Sequence, residues 1–505
     1  MSLEVRCSVY QVLVSLLDNA QTLDLRFNLL ALLKNILKHT DKDSVKLLMA
    51  PTPDNRYLVM GLKKMLITKQ EMLQTASAHC VKALMSYSQD ESTVTQILES
   101  DLAEFLFESL HTQSGPQLDS VFQCLQMLTD YEQFFTRCHA VYGVESILRS
   151  LCVVMDVKNY GLIEKGFCLL ANILHRQPPG IPLFVNAASV RQCVHLVRQG
   201  LTLSHPAVFL QALIAAGPLV SKQYLSWVYR CEVVEDLLKV ACCQMTNLNT
   251  SLCHGGQRLM VQGTDQQYPL LAFTDLLTVC CRVCADSVLK SSSEMGDKQW
   301  LNVEGALSLL LSAAERHLVP YIQTVFESEE CPPGLKTVLA CMNELYSQTG
   351  SDMSKMSLMF TRSGVIIQAH VVKSRATEDV CESIDKLLEN VYRDLLEKII
   401  PLNPAPPSWL VSGVASIKLQ SGDPCHMLHA VEQSGDTAWT VLLMLYFSYL
   451  YSNSWVECCD LQSLLQCFLA NNKDLAGLPP LVVRCLAFLV ACSSGDAVVE
   501  VVIVT

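Results

Sequence analysis

A short apolar cadence recurs along the first half of the chain at nearly constant spacing. It appears as Leu62-Lys-Lys-Met-Leu66, Leu106-Phe-Glu-Ser-Leu110, Leu148-Arg-Ser-Leu151, Val194-His-Leu-Val197 and Leu237-Leu-Lys-Val240. Taken at the last residue of each, the steps are 44, 41, 46 and 43 residues. Armadillo and HEAT units recur at about 40–47 residues. A second helical pattern, such as Gly166-Phe-Cys-Leu-Leu-Ala-Asn-Ile-Leu174, falls between the anchors. One such helix pair cannot bury its apolar face alone; stacking neighbours buries it and leaves a long surface for partners. The fold expected is therefore all-α, an armadillo/HEAT-like helical-repeat solenoid.

Local signals agree with helices. Leu118, Val121, Phe122, Leu125 and Leu128 share one helix face, with Pro116 at the start, where a missing N–H costs little. Asp101 and Glu104 have the spacing of a capping box before Leu102, Phe105, Leu106 and Leu110. Regular repeats are expected over 1–245. Residues 246–400 read as less regular helical repeats with long loops: Thr246 to Gln267 is polar around Gly255-Gly256, and Ser291 to Asp297 marks another break. Val365-Ile-Ile-Gln-Ala-His-Val-Val fits either a short strand or an irregular helix. Pro401-Leu-Asn-Pro-Ala-Pro-Pro407 opens a linker and a C-terminal helical block over 401–505, ending in an atypical β-branched tail.

Composition narrows the function. With 37 Lys and Arg against 49 Asp and Glu, the net charge is −12, and no dense basic run marks a nucleic-acid groove. The 23 cysteines follow no basic–apolar leader, since the chain opens Met-Ser-Leu-Glu-Val-Arg. Most lie inside apolar runs, as do Cys80, Cys124, Cys168 and Cys467, and read as small buried hydrophobes in a reducing compartment, cytosol or nucleus. The apolar run Ala438 to Tyr451 is shorter than the roughly 20 residues of a spanning helix and reads as a buried helix. No membrane association is expected.

The same residues offer a few candidates for a catalytic or metal site. Cys281-Arg-Val-Cys284, preceded by Cys280, could join Cys242, Cys243, Cys253 and His254 around zinc. Leu270 to Leu289 reads as one helix, however, where a zinc knuckle wants a turn, so structural cysteines are the preferred reading. Cys425-His426 with His429 is weaker still. Cys138-His139 adjoins Tyr131, Phe134, Phe135 and Tyr142 and reads as an inter-helix turn packed by aromatics. Glu329-Glu330 reads as a solvated pair. Phosphate-loop, nucleophile-elbow and zincin motifs are missing. The expectation is a non-enzymatic scaffold with no catalytic, metal or cofactor residues and no small-molecule substrate, working through protein partners. A general armadillo-type adaptor in transport or cytoskeletal assembly fits this reading equally.

Several ordered segments sharpen it. Leu73-Gln-Thr-Ala-Ser-Ala-His-Cys80, Glu104-Phe-Leu-Phe-Glu-Ser-Leu110 and Phe134-Phe-Thr-Arg-Cys-His-Ala-Val-Tyr-Gly-Val-Glu-Ser-Ile-Leu-Arg-Ser-Leu151 resemble, in this order, the vertebrate meiosis inhibitor protein 1 (meiosis-defective) family. Leu16-Leu-Asp-Asn-Ala-Gln-Thr22 and Pro479-Pro-Leu-Val-Val483 are similar to further segments of it. The resemblance is clearest over residues 10 to 200 and 440 to 495; Asp496 to Thr505 departs from it. It implies an internal portion of a longer nuclear protein acting on meiotic chromosomes, with cytoplasm as a second location. The implied role is in meiotic double-strand-break formation and homologous synapsis, with the break machinery as partner. It supplies no catalytic residues.

Overall fold

The computed structural model describes residues 3–394, except 40–41, 88–90, 138–139, 255–263, 295–296, 329–330, 349–352, 363–368, 370–371 and 374. Among the described residues every regular element is helical. The chain divides into two units, Met1–Leu248 and Asn249–Thr505. The linker at Pro401, the runs at Ala438 and Cys425, and the tail lie outside the described residues, as do Cys138-His139, Glu329-Glu330 and most of 365–372.

The first unit is built from two parallel rows of helices. One row is α1 (Leu3–Asn19), α4 (Leu58–Ile67), α7 (Leu102–Glu108), α10 (Ala140–Val157) and α12 (Ala187–Thr202). The other is α2 (Leu23–Lys38), α5 (Glu71–Tyr87), α8 (Gly115–Leu128), α11 (Tyr160–Arg176) and α13 (Pro206–Ser221), each packed on the next. Members of this second row begin at residues 23, 71, 115, 160 and 206. Short helices α3 (Lys42–Met49), α6 (Glu91–Glu99) and α9 (Glu132–Arg137) open three successive repeats, giving the three-helix armadillo unit. Before α12 the irregular Gln177–Asn186 segment replaces that short helix, leaving a HEAT-like pair. The last helix, α14 (Trp227–His254), runs across the boundary between the units.

The apolar anchors of the sequence fall where this packing needs them. Leu62 and Leu66 on α4, Leu106 on α7, Leu148 and Leu151 on α10 and Val197 on α12 are all buried. Leu30, Leu33 and Leu37 of α2 are wholly enclosed once α5 covers them, each contributing about 1.5–3 kcal/mol. Asn159 caps α11 by accepting from Leu162 N at 3.3 Å. Asn186 caps α12 by accepting from Ala188 N and Ser189 N, both at 2.9 Å.

Asp101 corrects the capping-box expectation. It precedes α7 in the left-handed region, with φ of 57°, and its side chain makes no cap hydrogen bond. Its carboxylate instead lies 3.6 Å from Lys63 Nζ of the preceding repeat. The spacing matched the motif, but the tight turn between α6 and α7 turns the side chain away from the helix N–H groups. The loop expected over Thr246 to Gln267 is also corrected: α14 continues to His254 and α15 (Thr264–Glu294) starts before Gln267. Likewise α15 runs through Ser291 to Glu294, and α16 (Asp297–Ala313) starts at the far edge of the expected break. A polar stretch without Pro is a helix with exposed faces as readily as a loop.

In the second unit α15, α18 (Leu335–Gln348) and α20 (Glu378–Asp394) pack in succession. Between α16 and α17 (Val319–Glu327) a π turn, Ala314–Leu318, links the two helices; α19 is Ser354–Arg362. Lys336 and Asp379 are 2.6 Å apart, and Asn343 Nδ2 donates to Ser383 O at 2.9 Å. These partners lie 43 and 40 positions apart, so the repeat step persists here.

The π turn seats His317 edge-on to Phe273 of α15, with ring centroids 5.7 Å apart. Burial, with Arg316 beside it, pulls its pKa down to about 4. In the unfolded chain a histidine titrates near 6.5. Between those values the unfolded state binds the extra proton, so stability is full above about pH 6.5 and falls as pH drops toward 4. About 2 kcal/mol should disappear between pH 7 and pH 5 through this residue. His317→Leu should abolish that part of the pH dependence in urea unfolding; equal pH slopes in the two proteins would reject the assignment.

Candidate protein-binding face

Of the cysteines considered as ligands, Cys280, Cys281 and Cys284 are buried, Cys242 is half-buried and Cys243 is exposed. Cys80, Cys124 and Cys168 occupy equivalent positions on α5, α8 and α11, 44 residues apart each time. Cys80 Sγ donates to Leu30 O at 3.4 Å and Cys124 Sγ to Ala78 O at 3.6 Å, each in the preceding helix of the row. Burial pushes the Cys80 thiol up to about 12 and Cys124 higher still. A thiol so displaced stays protonated at neutral pH and is a poor ligand and nucleophile. Cys281 of α15 packs toward Cys341 and Glu344 of α18; burial raises both thiols, Cys341 to about 12. Cys280 and Cys284 are buried on the same helix. Cys242 and Cys243 lie on α14, which also carries Cys253 and His254 at its end. No group of three His, Cys, Asp or Glu side chains suited to a metal occurs among the described residues.

The helix α15 contains one stretch, Tyr268–Ser287, long and apolar enough to cross a membrane by length and composition alone. Its Phe273, Leu276, Leu277, Cys280 and Cys281 are wholly buried, which is how the core helix of a packed protein also reads.

The surface that stands out is the open side of the row α2–α5–α8–α11–α13. Polar side chains bridge its joints at repeat spacing. Gln117 Nε2 donates to Gln74 Oε1 at 3.4 Å, and Ser120 Oγ lies 2.7 Å from His79 Nδ1. Lys165 pairs with Asp119, Asn172 Nδ2 donates to Thr129 Oγ1 at 3.3 Å, and Arg176 reaches Thr129 O at 2.9 Å as well as Asp130. The two partly exposed ion pairs, Lys165–Asp119 and Arg176–Asp130, contribute about 0–1 kcal/mol each, so they set register more than stability. None of these residues was singled out from sequence; a search for polar residues recurring at 41–47 positions would have found them.

Along this side α2, α5 and the start of α8 enclose a cleft of about 390 Å³. Phe27, Ala31 and Lys34 line one wall and Met72, Ala76 and His79 the other. Phe27 is 39% exposed and Met72 64%, high values for large apolar side chains. At one end Lys34 and Lys82 flank His79. Burial, then Lys34 and Lys82, pulls the His79 pKa down, against Asp119, which raises it. The ring is therefore neutral at pH 7. Among the described residues Lys34 and Lys82 form no ion pair, and Asp119 pairs with Lys165. Such a surface can seat a peptide; Ser120, which lies against His79, is fully buried and is not presented to the cleft's solvent.

A family model described as the Meiosis inhibitor protein 1 N-terminal domain matches residues 1–499, which takes in the first four residues of the tail expected to depart from the family. The human Meiosis inhibitor protein 1 is 25% identical over 534 residues, covering 97% of this chain and 42% of its own length. The mouse Meiosis inhibitor protein 1 is 27% identical over 548 residues, covering 99% of this chain and 42% of its own. The chain thus spans less than half the length of these relatives. An engineered protein solved by a structural genomics consortium superposes with a TM-score of 0.53 at 12% identity, over 96% of this chain and 99% of that one. At that identity the likeness speaks for the fold alone.

Proposed function

Because the chain belongs to the Meiosis inhibitor protein 1 N-terminal domain family, we propose that it is a non-enzymatic scaffold acting in germ cells at meiotic double-strand-break formation and chromosome synapsis. Its site of action is the nucleus, on meiotic chromosomes. Its partners are proteins of the break-forming machinery, held along the open side of the α2–α13 row. The observation that carries this reading is the family match over nearly the whole chain, on a solenoid whose exposed row carries an apolar cleft. Repeat solenoids present such extended faces to other proteins.

Germ cells lacking the protein are expected to show break markers near background at meiotic prophase, with unsynapsed homologues. Normal break numbers and full synapsis in those cells would reject the meiotic role. Proximity labelling from the intact protein in spermatocytes should enrich chromosome-axis and break proteins over cytoskeletal and transport proteins; the reverse enrichment would favour a general adaptor.

A further inference from the structure

We infer that the cleft between α2, α5 and α8 is a docking site for a short extended peptide carrying a bulky apolar residue followed closely by acidic residues. The inference rests on the scaffold reading above and names the chemistry of one partner segment.

Charge and shape both point that way. The apolar part of the cleft is walled by Phe27, Ala31, Met72 and Ala76, side chains that would bury a Leu, Ile or Phe from a partner. Beside it stand Lys34 and Lys82, both half-buried at their stems and unpaired with any carboxylate among the described residues. The Cys80 Sγ to Leu30 O contact puts the second half of α2 level with the middle of α5, so Lys34, His79 and Lys82 cluster at one end. Glu71, which also lines the cleft, lies 11 residues before Lys82 on α5, about 16 Å away along the axis. The sign of charge therefore changes along the cleft. A bound strand is oriented with its carboxylates at the lysine end and its apolar side chain in the middle. In a chain of net charge −12 an uncompensated lysine pair beside an apolar hollow is a local exception. A neutral His79 adds a hydrogen-bonding nitrogen without a third positive charge.

The probe is a random displayed library of peptides about a dozen residues long, panned on the intact chain. Recovered peptides should share an apolar residue with Asp or Glu within a few positions, and synthetic copies should bind more weakly as salt rises. Lys34→Glu with Lys82→Glu should weaken them at least ten-fold, and Met72→Asp should do the same. Lys239→Glu, an exposed change on α14, should leave binding unaltered. Circular dichroism of each variant separates lost binding from lost fold. Four results would overturn the inference: no enrichment of acidic–apolar peptides, equal binding of charge-reversed copies, indifference to the lysine changes, or stronger retention of a single-stranded oligonucleotide. If break formation fails in the null germ cells while this test is negative, the scaffold reading stands and only the cleft assignment falls.

Discussion

Alanine in place of Phe122 is expected to destabilise the first unit by about 4 kcal/mol, the middle of the range for removing a buried phenylalanine. Phe122 lies on α8, the central helix of the α2–α13 row, and is fully buried. Its ring tip would stand 3.4 Å from a β-carbon on Gly166 of α11, so it closes the joint between two successive repeats. Gly166 brings no side chain to fill the space, so only neighbours such as Leu151, which lies against the same glycine, could partly close the cavity. In a solenoid each repeat touches only its neighbours, so a weak joint lets the two sides part separately. Denaturant unfolding should show the loss and a broader transition, and hydrogen exchange should rise in α8 and α11 together. The exposed Arg176→Ala, which removes an ion pair with Asp130, should cost less than about 1 kcal/mol. A Phe122→Ala cost as small as that of Arg176→Ala would mean that the joint is not where the repeats are held.

Much of this architecture is legible in the chain because burial acts on each repeat in the same way. Leu66, Leu110, Leu151 and Val197 recur at near-constant steps since each closes the same contact in a successive unit. The same logic places Cys80, Cys124 and Cys168 one repeat apart, each inside an apolar run. Local signals misled where tertiary geometry overrides them. Asp101 has the spacing of a cap but sits at positive φ, and the polar 246–254 stretch continues a helix whose register was set upstream. The cleft was not legible at all. It joins Phe27 and Lys34 to Met72 and His79, residues some 45 positions apart whose meeting depends on the α2–α5 register. No local motif encodes a binding face that exists only between repeats.

Leucine at Gly200 should do more damage than any surface change, and its cost should combine non-additively with that of a second mutation. Glycine inside a helix costs about 1 kcal/mol relative to alanine, so Gly200 in the last turns of α12 needs a packing reason. A β-carbon there would lie 2.6 and 2.8 Å from two ring atoms of Phe167 and 3.0 Å from the β-carbon of Ala212. Phe167 is fully enclosed and cannot swing out, and the Ala212 β-carbon is fixed to α13. Gly200→Ala gains helix propensity but overpacks by about 1–3 kcal/mol, for a net loss. Gly200→Leu forces α12 from α11 and α13, and its cost should exceed the roughly 4 kcal/mol expected for Phe167→Ala alone. In the double variant the new leucine occupies the space vacated by the ring. The two changes should therefore couple favourably by about 1–3 kcal/mol, leaving the double variant less destabilised than the sum of the two single changes. Urea unfolding of the four proteins gives the cycle directly. Strict additivity would show that Gly200 and Phe167 do not share one contact, and that the close approach of α11, α12 and α13 is not what requires the glycine.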